Sequence, residues 1–359
     1  MQSKSAIIAM SGGVDSSVAA LLVKSSGMNC IGCTMKLYAG EITENSCKTC
    51  CSLNDVEDAR SVAMKLGMPY YVFNFTDDFD KKVISRFIHS YLNGETPNPC
   101  IDCNKYMKFD NLILRAKTLG YDYVVTGHYA RIEFDGEKYK LKKAIDETKD
   151  QSYVLYNLSQ EQLKHILFPL GNLTKKQVRE IAQKNGFRNS NKPDSQDICF
   201  IPDGNYTKFI CERMVNSRSE GNFVDTKGNV IGKHKGIFCY TIGQRKGLGI
   251  SASKPLYVVS INTDTNNVVL GEERELYSKT IYVKDFNWIS GKVPTLPLKC
   301  KVKIRYRQKE QDAIILSQDN NVVQIEFKEP QRAVTPGQSA VAYVGDEVIG
   351  GGIIVKKEN

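Results

Sequence analysis

No stretch of this 359-residue chain approaches the roughly 20 consecutive apolar residues that cross a bilayer, and mean hydropathy is −0.34. The longest early apolar run, Ala6 to Met10, is too short for the core of a secretory leader and runs straight into Ser11-Gly12-Gly13. Internal repeats and low-complexity segments are missing too. These absences exclude membrane-spanning, exported, collagen-like and disordered classes. They predict a soluble, cytoplasmic protein with no membrane partner.

What is present is ordinary for a globular chain: 41% hydrophobic and 25% charged residues, with length for about two to three domains. Lysine and arginine number 49 against 40 aspartates and glutamates, a net charge of +9 with a sequence pI near 8.8. That surplus fits a polyanionic partner and equally a solvated basic surface. Eleven cysteines are many for a reducing compartment, where thiols persist and serve metals or catalysis. Their odd number argues against a fully paired disulfide framework.

Through residue 203, short apolar runs alternate with helical patterns, which predicts βαβ units and a mostly parallel, Rossmann-like sheet. Strands are expected at Ala6 to Met10, Cys30 to Leu37, Tyr70 to Phe75 and Tyr123 to Thr126, with a hairpin around Asp135-Gly136. Helices are expected at Asn104 to Leu119, Gln151 to Leu167 and Thr174 to Asn185, among others. From Gly204 the rhythm changes to one short helix, a Gly- and Lys-rich region and a hairpin. From Ile281 onward the segments alternate with period two between regular turn signals, as short barrel strands do. The expectation is an α/β chain: an N-terminal parallel-sheet domain (1–203), a small mixed or β linking domain (204–279) and a C-terminal β-barrel (280–359).

Ser11-Gly12-Gly13-Val14-Asp15-Ser16 falls between an expected strand and an expected helix. Two glycines permit positive φ and a close ligand. The N–H groups of the loop and helix start, backed by the helix dipole, make an anion site. Neither a Walker A Gly-Lys-Ser/Thr nor the spaced-glycine dinucleotide fingerprint is present. The plain alternative is a βα turn that happens to hold two glycines, but the order of strand, loop and helix favours a nucleotide pyrophosphate. The pattern resembles the PP-loop ATP pyrophosphatase superfamily. That resemblance implies attack of a substrate oxygen on the α-phosphate of ATP, giving an adenylate and pyrophosphate.

Two cysteines, Cys100 and Cys103, stand three apart after Thr96-Pro97-Asn98-Pro99, at the start of an expected helix, a position that favours the thiolate. Cys199 lies in a second proline-bounded loop, and both loops are expected at the carboxyl edge of the sheet. A thiolate beside an adenylate is a coherent sulfur-transfer device.

Ser11 to Ser16, Asn98-Pro99-x-x-x-Cys103-Asn104-Lys105, Gly127-His128-Tyr129, Lys149 to Tyr153 and Ser195 to Phe200 together resemble the bacterial tRNA-specific 2-thiouridylases, as do Arg305-Tyr306 and Thr335-Pro336-Gly337-Gln338. The resemblance implies replacement of O2 of the wobble uridine (position 34) by sulfur. It implies that Cys199 receives a persulfide, and that Cys103 is the catalytic thiol that releases the sulfur and ends disulfide-bonded to Cys199. It implies ATP contacts at Ala9, Met10, Ser11, Gly12, Gly13, Val14, Asp15, Ser16, Met35 and Gly127, with ATP and Mg2+ as cofactors and no metal site of the protein's own. His128, Lys149, Asp150, Gln151, Arg305, Tyr306 and Gln338 are the implied tRNA contacts. A cysteine desulfurase or a sulfur-relay protein is the implied donor.

One departure is Cys100, where many relatives carry Asp. Cys100, Cys103 and Cys199 thus leave a second chemistry open, three thiolate ligands to an iron–sulfur cluster. Cys30-x-x-Cys33 and Cys47-x-x-Cys50 resemble a four-cysteine zinc pattern, yet Cys30 and Cys33 fall in an expected strand, where side chains three apart face opposite ways. Cys211, Cys239 and Cys300 read as small buried hydrophobes. Arg305 and Tyr306 are expected on one strand, facing opposite sides. Two other functions compete: another PP-loop adenylating enzyme, acting on tRNA or a small substrate, would not need Cys103 and Cys199. A non-catalytic RNA-binding module would release no pyrophosphate.

Overall fold

The structure, a computed structural model, describes residues 4–38, 53–193, 198–214 and 220–356. Its first sheet is parallel throughout. β1 (Ser5–Ala9) lies between β2 (Asn29–Lys36) and β4 (Tyr123–Val125); β3 (Tyr70–Asn74) extends the sheet beyond β2, and β7 (Ile166–Leu167) beyond β4. Burial on both faces is why β1 reads as an unbroken apolar run. Ile7 packs with Ile31, Val124 and Ile166 on one face, while Ala6 and Ile8 pack with Val18, Val23 and Ala59 on the other. The helices covering the sheet include α1 (Val14–Ser25), α2 (Leu53–Lys65), α3 (residues 76–92) and α4 (residues 99–118).

The expected helix from Gln151 to Leu167 does not form as one element. Ser152–Leu155 is a tight 3-10 turn, α5 (Gln160–Lys164) is a short helix behind a Ser159 capping box, and the next residues are β7. Tertiary contacts decide this against local propensity. The Tyr153 and Tyr156 hydroxyls are drawn to Ser339 of the C-terminal sheet at 2.8 and 3.0 Å. The amides of Val124 in β4 and of Thr126 just after it bond the His165 and Leu167 carbonyls, which needs an extended partner.

The C-terminal sheet is a closed barrel. β12 (Tyr277–Trp288), β13 (Leu298–Lys303), β14 (Gln311–Asp319), β15 (Val322–Arg332), β16 (Ser339–Val344) and β17 (Glu347–Val355) run in the order β12-β15-β14-β13-β16-β17, and β12 pairs back onto β17. The hairpin of β5 (Ala130–Phe134) and β6 (Tyr139–Lys143) leaves the parallel sheet and joins this one: Leu141 and Lys142 pair with Val348 and Glu347. Its turn closes as Asp135-Gly136 predicts, with Asp135 Oδ1 accepting the Glu137 and Lys138 amides and Gly136 at φ 101°. Between the two sheets lies a four-stranded one, β8 (Gly221–Val224), β9 (Val230–His234), β10 (Tyr257–Asn262) and β11 (Asn267–Gly271), around Phe223, Val258, Ile261 and Val268. Arg305 and Tyr306 do not continue β13, which ends at Lys303. The Arg305 guanidinium turns in to donate to the Ala333 carbonyl at 2.7 Å and to Thr335 Oγ1 at 3.1 Å, which the strand's alternation did not anticipate.

Candidate active site

Strand order reverses between β1 and β4, and open α/β sheets bind ligands in the crevice outside the carboxyl ends at such a point. The phosphate loop follows β1 there. Gly12 has φ +73°, and a Cβ on it would lie 2.3 Å from the Asp55 carbonyl oxygen, so only glycine fits. Gly13 needs no such freedom, at φ −87°. A Cβ on Gly127, after β4, would come within 2.8 Å of the Asp15 and Ser16 backbone, so that strand end seats directly on the helix start. The first intrahelical bond of α1 is Ser17 N–H to the Gly13 carbonyl at 3.2 Å, and the amides before it have no intrahelical acceptor. Ser16 Oγ donates to that carbonyl at 3.0 Å and accepts the Ser11 N–H at 3.2 Å. The loop is thus a rigid cradle of amides and hydroxyls, suited to a polyphosphate.

Other side chains fix this cradle. Ala9 borders the core beneath it, and Met10, nearly fully buried, accepts from Thr34 Oγ1 at its carbonyl (2.6 Å). Lys175 Nζ meets both Asp15 carboxylate oxygens at 2.8 Å, and Tyr129 OH donates to one of them at 2.8 Å. Lys175 opens α6 (Lys175–Lys184). Beyond that helix, Asn189 Nδ2 donates to the Gly12 carbonyl and to Ser17 Oγ, both at 2.9 Å. Lys192 Nζ reaches Asp55 at 2.6 Å, Asp58 at 2.7 Å and the Gly12 carbonyl at 3.4 Å. Sequence reading missed Lys175, Asn189 and Lys192, because their partners lie 134 or more residues away.

The thiols stand beside a second buried cluster, built from Phe79, Val83, Phe87, Met107, Phe200 and Ile201. Met35, Cys103 and Cys199 all pack against it. Phe200 meets Phe79 and Phe87 edge-on, with ring centroids 5.7 and 5.4 Å apart. Met35 also borders the core on one face of the sheet, against which Ala9 packs at the end of β1. Cys103 sits on α4, which Asn98 caps by accepting the Cys100 N–H at 3.1 Å, with Pro99 at the first helical position. From Cys103 to Asn111 the turns widen to i→i+5, a local distortion common at functional sites. Cys103 therefore lies one turn into the helix rather than at its first residues.

The barrel grips the segment leading into α4. The Thr96 amide donates to the Pro336 carbonyl at 2.9 Å, and Gln338 Nε2 donates to the Thr96 carbonyl at 2.7 Å. A Cβ on Gly337 would fall 2.8 Å from Glu95 Cβ. Tyr306, 39% exposed, lies 5.9 Å from the Tyr153 ring, and Asp150 and Cys100 both act electrostatically on its phenol, whose pKa burial chiefly raises.

The remaining expected contacts are placed unevenly. Asp150 is buried, accepting the Ala144 and Ser152 amides and Ser152 Oγ. Gln151 Oε1 accepts the Tyr129 N–H at 3.0 Å, and Lys149 is half-exposed on the same loop. His128 is buried between Phe109 and Phe168. Its Nε2 faces Lys108 Nζ at 3.4 Å and its Nδ1 faces Thr126 Oγ1 at 2.6 Å. An ammonium only donates, so Nε2 accepts and Nδ1 carries the proton. Burial first, and Lys108 second, hold its pKa well below the ordinary 6.5.

Cys30 and Cys33 belong to separate cores on opposite faces of β2, as the strand geometry predicts, and burial pushes the Cys33 thiol up to about 12. Cys47, Cys50 and Cys51 lie outside the described residues, as do Ser195, Gln196 and Asp197. Among the described residues no three His, Cys, Asp or Glu side chains converge as metal ligands. Cys211 and Cys239 are half-exposed rather than buried, although both border the aromatic cluster. Burial pushes the Cys300 thiol up to about 12.

Comparison with known proteins completes the picture. The family model described as the tRNA methyl transferase HUP domain matches residues 4–203. The tRNA methyl transferase PRC-barrel model matches residues 207–272, and the aminomethyltransferase beta-barrel model matches 278–354. The tRNA-specific 2-thiouridylase MnmA of Acetivibrio thermocellus is 53% identical over 358 residues, covering 99% of this chain and 100% of its own. The protein of the same name from Clostridioides difficile is 52% identical, with 98% of each chain covered.

Proposed function

Because the chain belongs to the tRNA-specific 2-thiouridylase family, we propose that its phosphate loop holds ATP while Cys199 and Cys103 carry and release the sulfur that replaces O2 of the wobble uridine. The chain is a sulfurtransferase that acts on tRNA uridine and uses ATP. Uracil O2 attacks the α-phosphorus, the bond to pyrophosphate breaks and the N3 proton leaves to solvent. Adenylation is needed because O2 by itself is a very poor leaving group. The terminal sulfur of a Cys199 persulfide then bonds to C2 and AMP departs. The Cys103 thiolate attacks Cys199 Sγ, the S–S bond breaks, and the pyrimidine keeps the sulfur and its electron pair. The product disulfide, Cys103–Cys199, is reset by a thiol reductant, and a cysteine desulfurase or relay protein reloads Cys199.

The observation that carries this reading is the shared wall: Cys103 and Cys199, remote in the chain, border one aromatic cluster, and Met35 borders both that cluster and the sheet core against which Ala9, just before the phosphate loop, also packs. An apolar wall keeps water from an adenylate that would otherwise hydrolyse. Mg2+ bound with ATP would neutralise phosphate charge at the loop, where Asp15, engaged by Lys175 and Tyr129, is the carboxylate at hand. Tyr306, Lys149, Gln151, Arg305 and Gln338 are the tRNA contacts of this reading; Tyr306, 39% exposed, supports base stacking, worth about 1–3 kcal/mol, while Arg305 and Gln338 also hold the backbone of Ala333 and Thr96. His128 and Asp150 are buried, and Asp150 acts by holding the Ala144 and Ser152 amides on either side of the Lys149–Gln151 turn.

Cys103→Ser and Cys199→Ser are each expected to abolish 2-thiouridine, read by mass analysis of tRNA nucleosides, while pyrophosphate release from ATP and tRNA persists. Thiouridine formed by either variant overturns the assignment.

A further inference from the structure

Of the three cysteines in the two proline-bounded loops, Cys100 is exposed, whereas Cys103 and Cys199 are half-buried against the aromatic cluster. The chemistry assigned to Cys103 and Cys199 leaves Cys100 without a task. Its position is nonetheless fixed: Asn98 Oδ1 accepts its N–H at 3.1 Å, and Pro99 before it is buried. The Cys103 N–H donates to the carbonyls of both Pro99 and Cys100. The second of these is an i→i+3 contact, and a turn tightened in that way brings side chains three apart into line. Residues three apart on a helix already hold their Cβ atoms about 5–6 Å apart, and a disulfide needs about 3.5–4.5 Å, so a closure of about 1–2 Å joins these two sulfurs. No other cysteine shares a helical turn with Cys103.

We propose that Cys100 is the resolving thiol that reopens the Cys103–Cys199 disulfide after each turnover. Its thiolate attacks Cys103 Sγ, a Cys100–Cys103 bond forms, the Cys103–Cys199 bond breaks, and Cys199 leaves as a thiolate ready to be reloaded. This exchange gains and loses no electrons. An external dithiol then reduces the Cys100–Cys103 bond, is itself oxidised to a disulfide, and returns both cysteines to thiols. The exchange moves the oxidised bond from two half-buried sulfurs to a pair with an exposed member, and access governs how fast a reductant acts. The inference rests on the reading of Cys103 and Cys199 given above and extends it to the step that makes the enzyme turn over again.

The test follows the full-length protein through one turnover. Cys199 is loaded with a persulfide by a cysteine desulfurase and cysteine, and small thiols are removed. ATP and an unmodified tRNA transcript with uridine at position 34 are then added. Remaining thiols are blocked with N-ethylmaleimide, and disulfides are mapped by non-reducing peptide mass spectrometry. The wild type is expected to hold a Cys100–Cys103 disulfide with Cys199 blocked, and Cys100→Ser a Cys103–Cys199 disulfide. In repeated turnover with a thioredoxin-type protein dithiol, Cys100→Ser should run at least about tenfold slower than the wild type. An equal rate, or a wild-type disulfide that leaves out Cys100, overturns the proposal. So does a Cys100–Cys103 bond that forms equally without tRNA, a Cys100→Ser protein that makes no thiouridine even in the first round, or iron bound through Cys100 in anaerobically prepared protein. Thiouridine made by Cys103→Ser or Cys199→Ser overturns the sulfur-carrier reading instead, whatever Cys100 does.

Discussion

At the scale of single residues, steric and electrostatic constraints meet at Gly12 and His128. Gly12→Ala forces a side chain into both a left-handed backbone and the Asp55 carbonyl. The strain alone costs about 1–3 kcal/mol. The loop shifts to relieve it, and ATP-dependent pyrophosphate release should drop to background with a lowered melting temperature. Wild-type release by this variant would contradict the cradle. His128 sets a pH dependence. Its folded pKa lies well below 6.5 because burial and Lys108 oppose its charge. The unfolded chain therefore binds the extra proton first, so the stabilisation is complete above about pH 6.5 and lost as pH falls below it, at up to about 1.4 kcal/mol per pH unit. His234, also depressed by burial, adds its own share. The His128→Gln variant should thus show a shallower loss of stability between pH 6.5 and 5, measured by urea midpoints; an identical slope would remove His128 from the account.

At the scale of elements, the stretch from Ser152 to Leu167 shows how tertiary contacts overrule local pattern. Tyr153→Phe removes the 2.8 Å bond to the Ser339 carbonyl and leaves that acceptor buried. A loss of about 1–2 kcal/mol in denaturant stability is expected, with no change in nucleotide binding. The same tyrosines explain why this region was illegible in the sequence. Their helical-looking spacing hid the fact that they serve the barrel, 183 or more residues on. The central strands were legible, because β1 and β2 are apolar runs ended by turn residues, and so was the Asp135-Gly136 hairpin, though not the sheet it joins. Of the site, the phosphate loop and the cysteine motifs announced themselves through local chemistry. Lys108, Asn189 and Lys192 did not, since an isolated Lys or Asn carries no signal until a fold supplies its partner.

At the scale of the whole molecule, the sheets are stitched rather than strung. The hairpin of β5 and β6 belongs by sequence to the nucleotide-binding part and by hydrogen bonding to the barrel, and Arg131 bonds Asp346 at 2.6 Å across that seam. The chain's single tryptophan, Trp288, lies in β12 and reports on the barrel alone. Its fluorescence and the far-ultraviolet dichroism, dominated by helices of the first sheet, should lose their native signals at one common urea midpoint. Separate midpoints would mean the seam does not couple the parts. The grip of Pro336 and Gln338 on Thr96 has a consequence for biosynthesis. The scaffold that steadies the segment leading into α4 is translated some 240 residues after that segment. A ribosome that stops early leaves the segment before α4 without these two bonds and β6 without its partner strand β17, so the grip on Thr96 forms only after Gln338 has emerged.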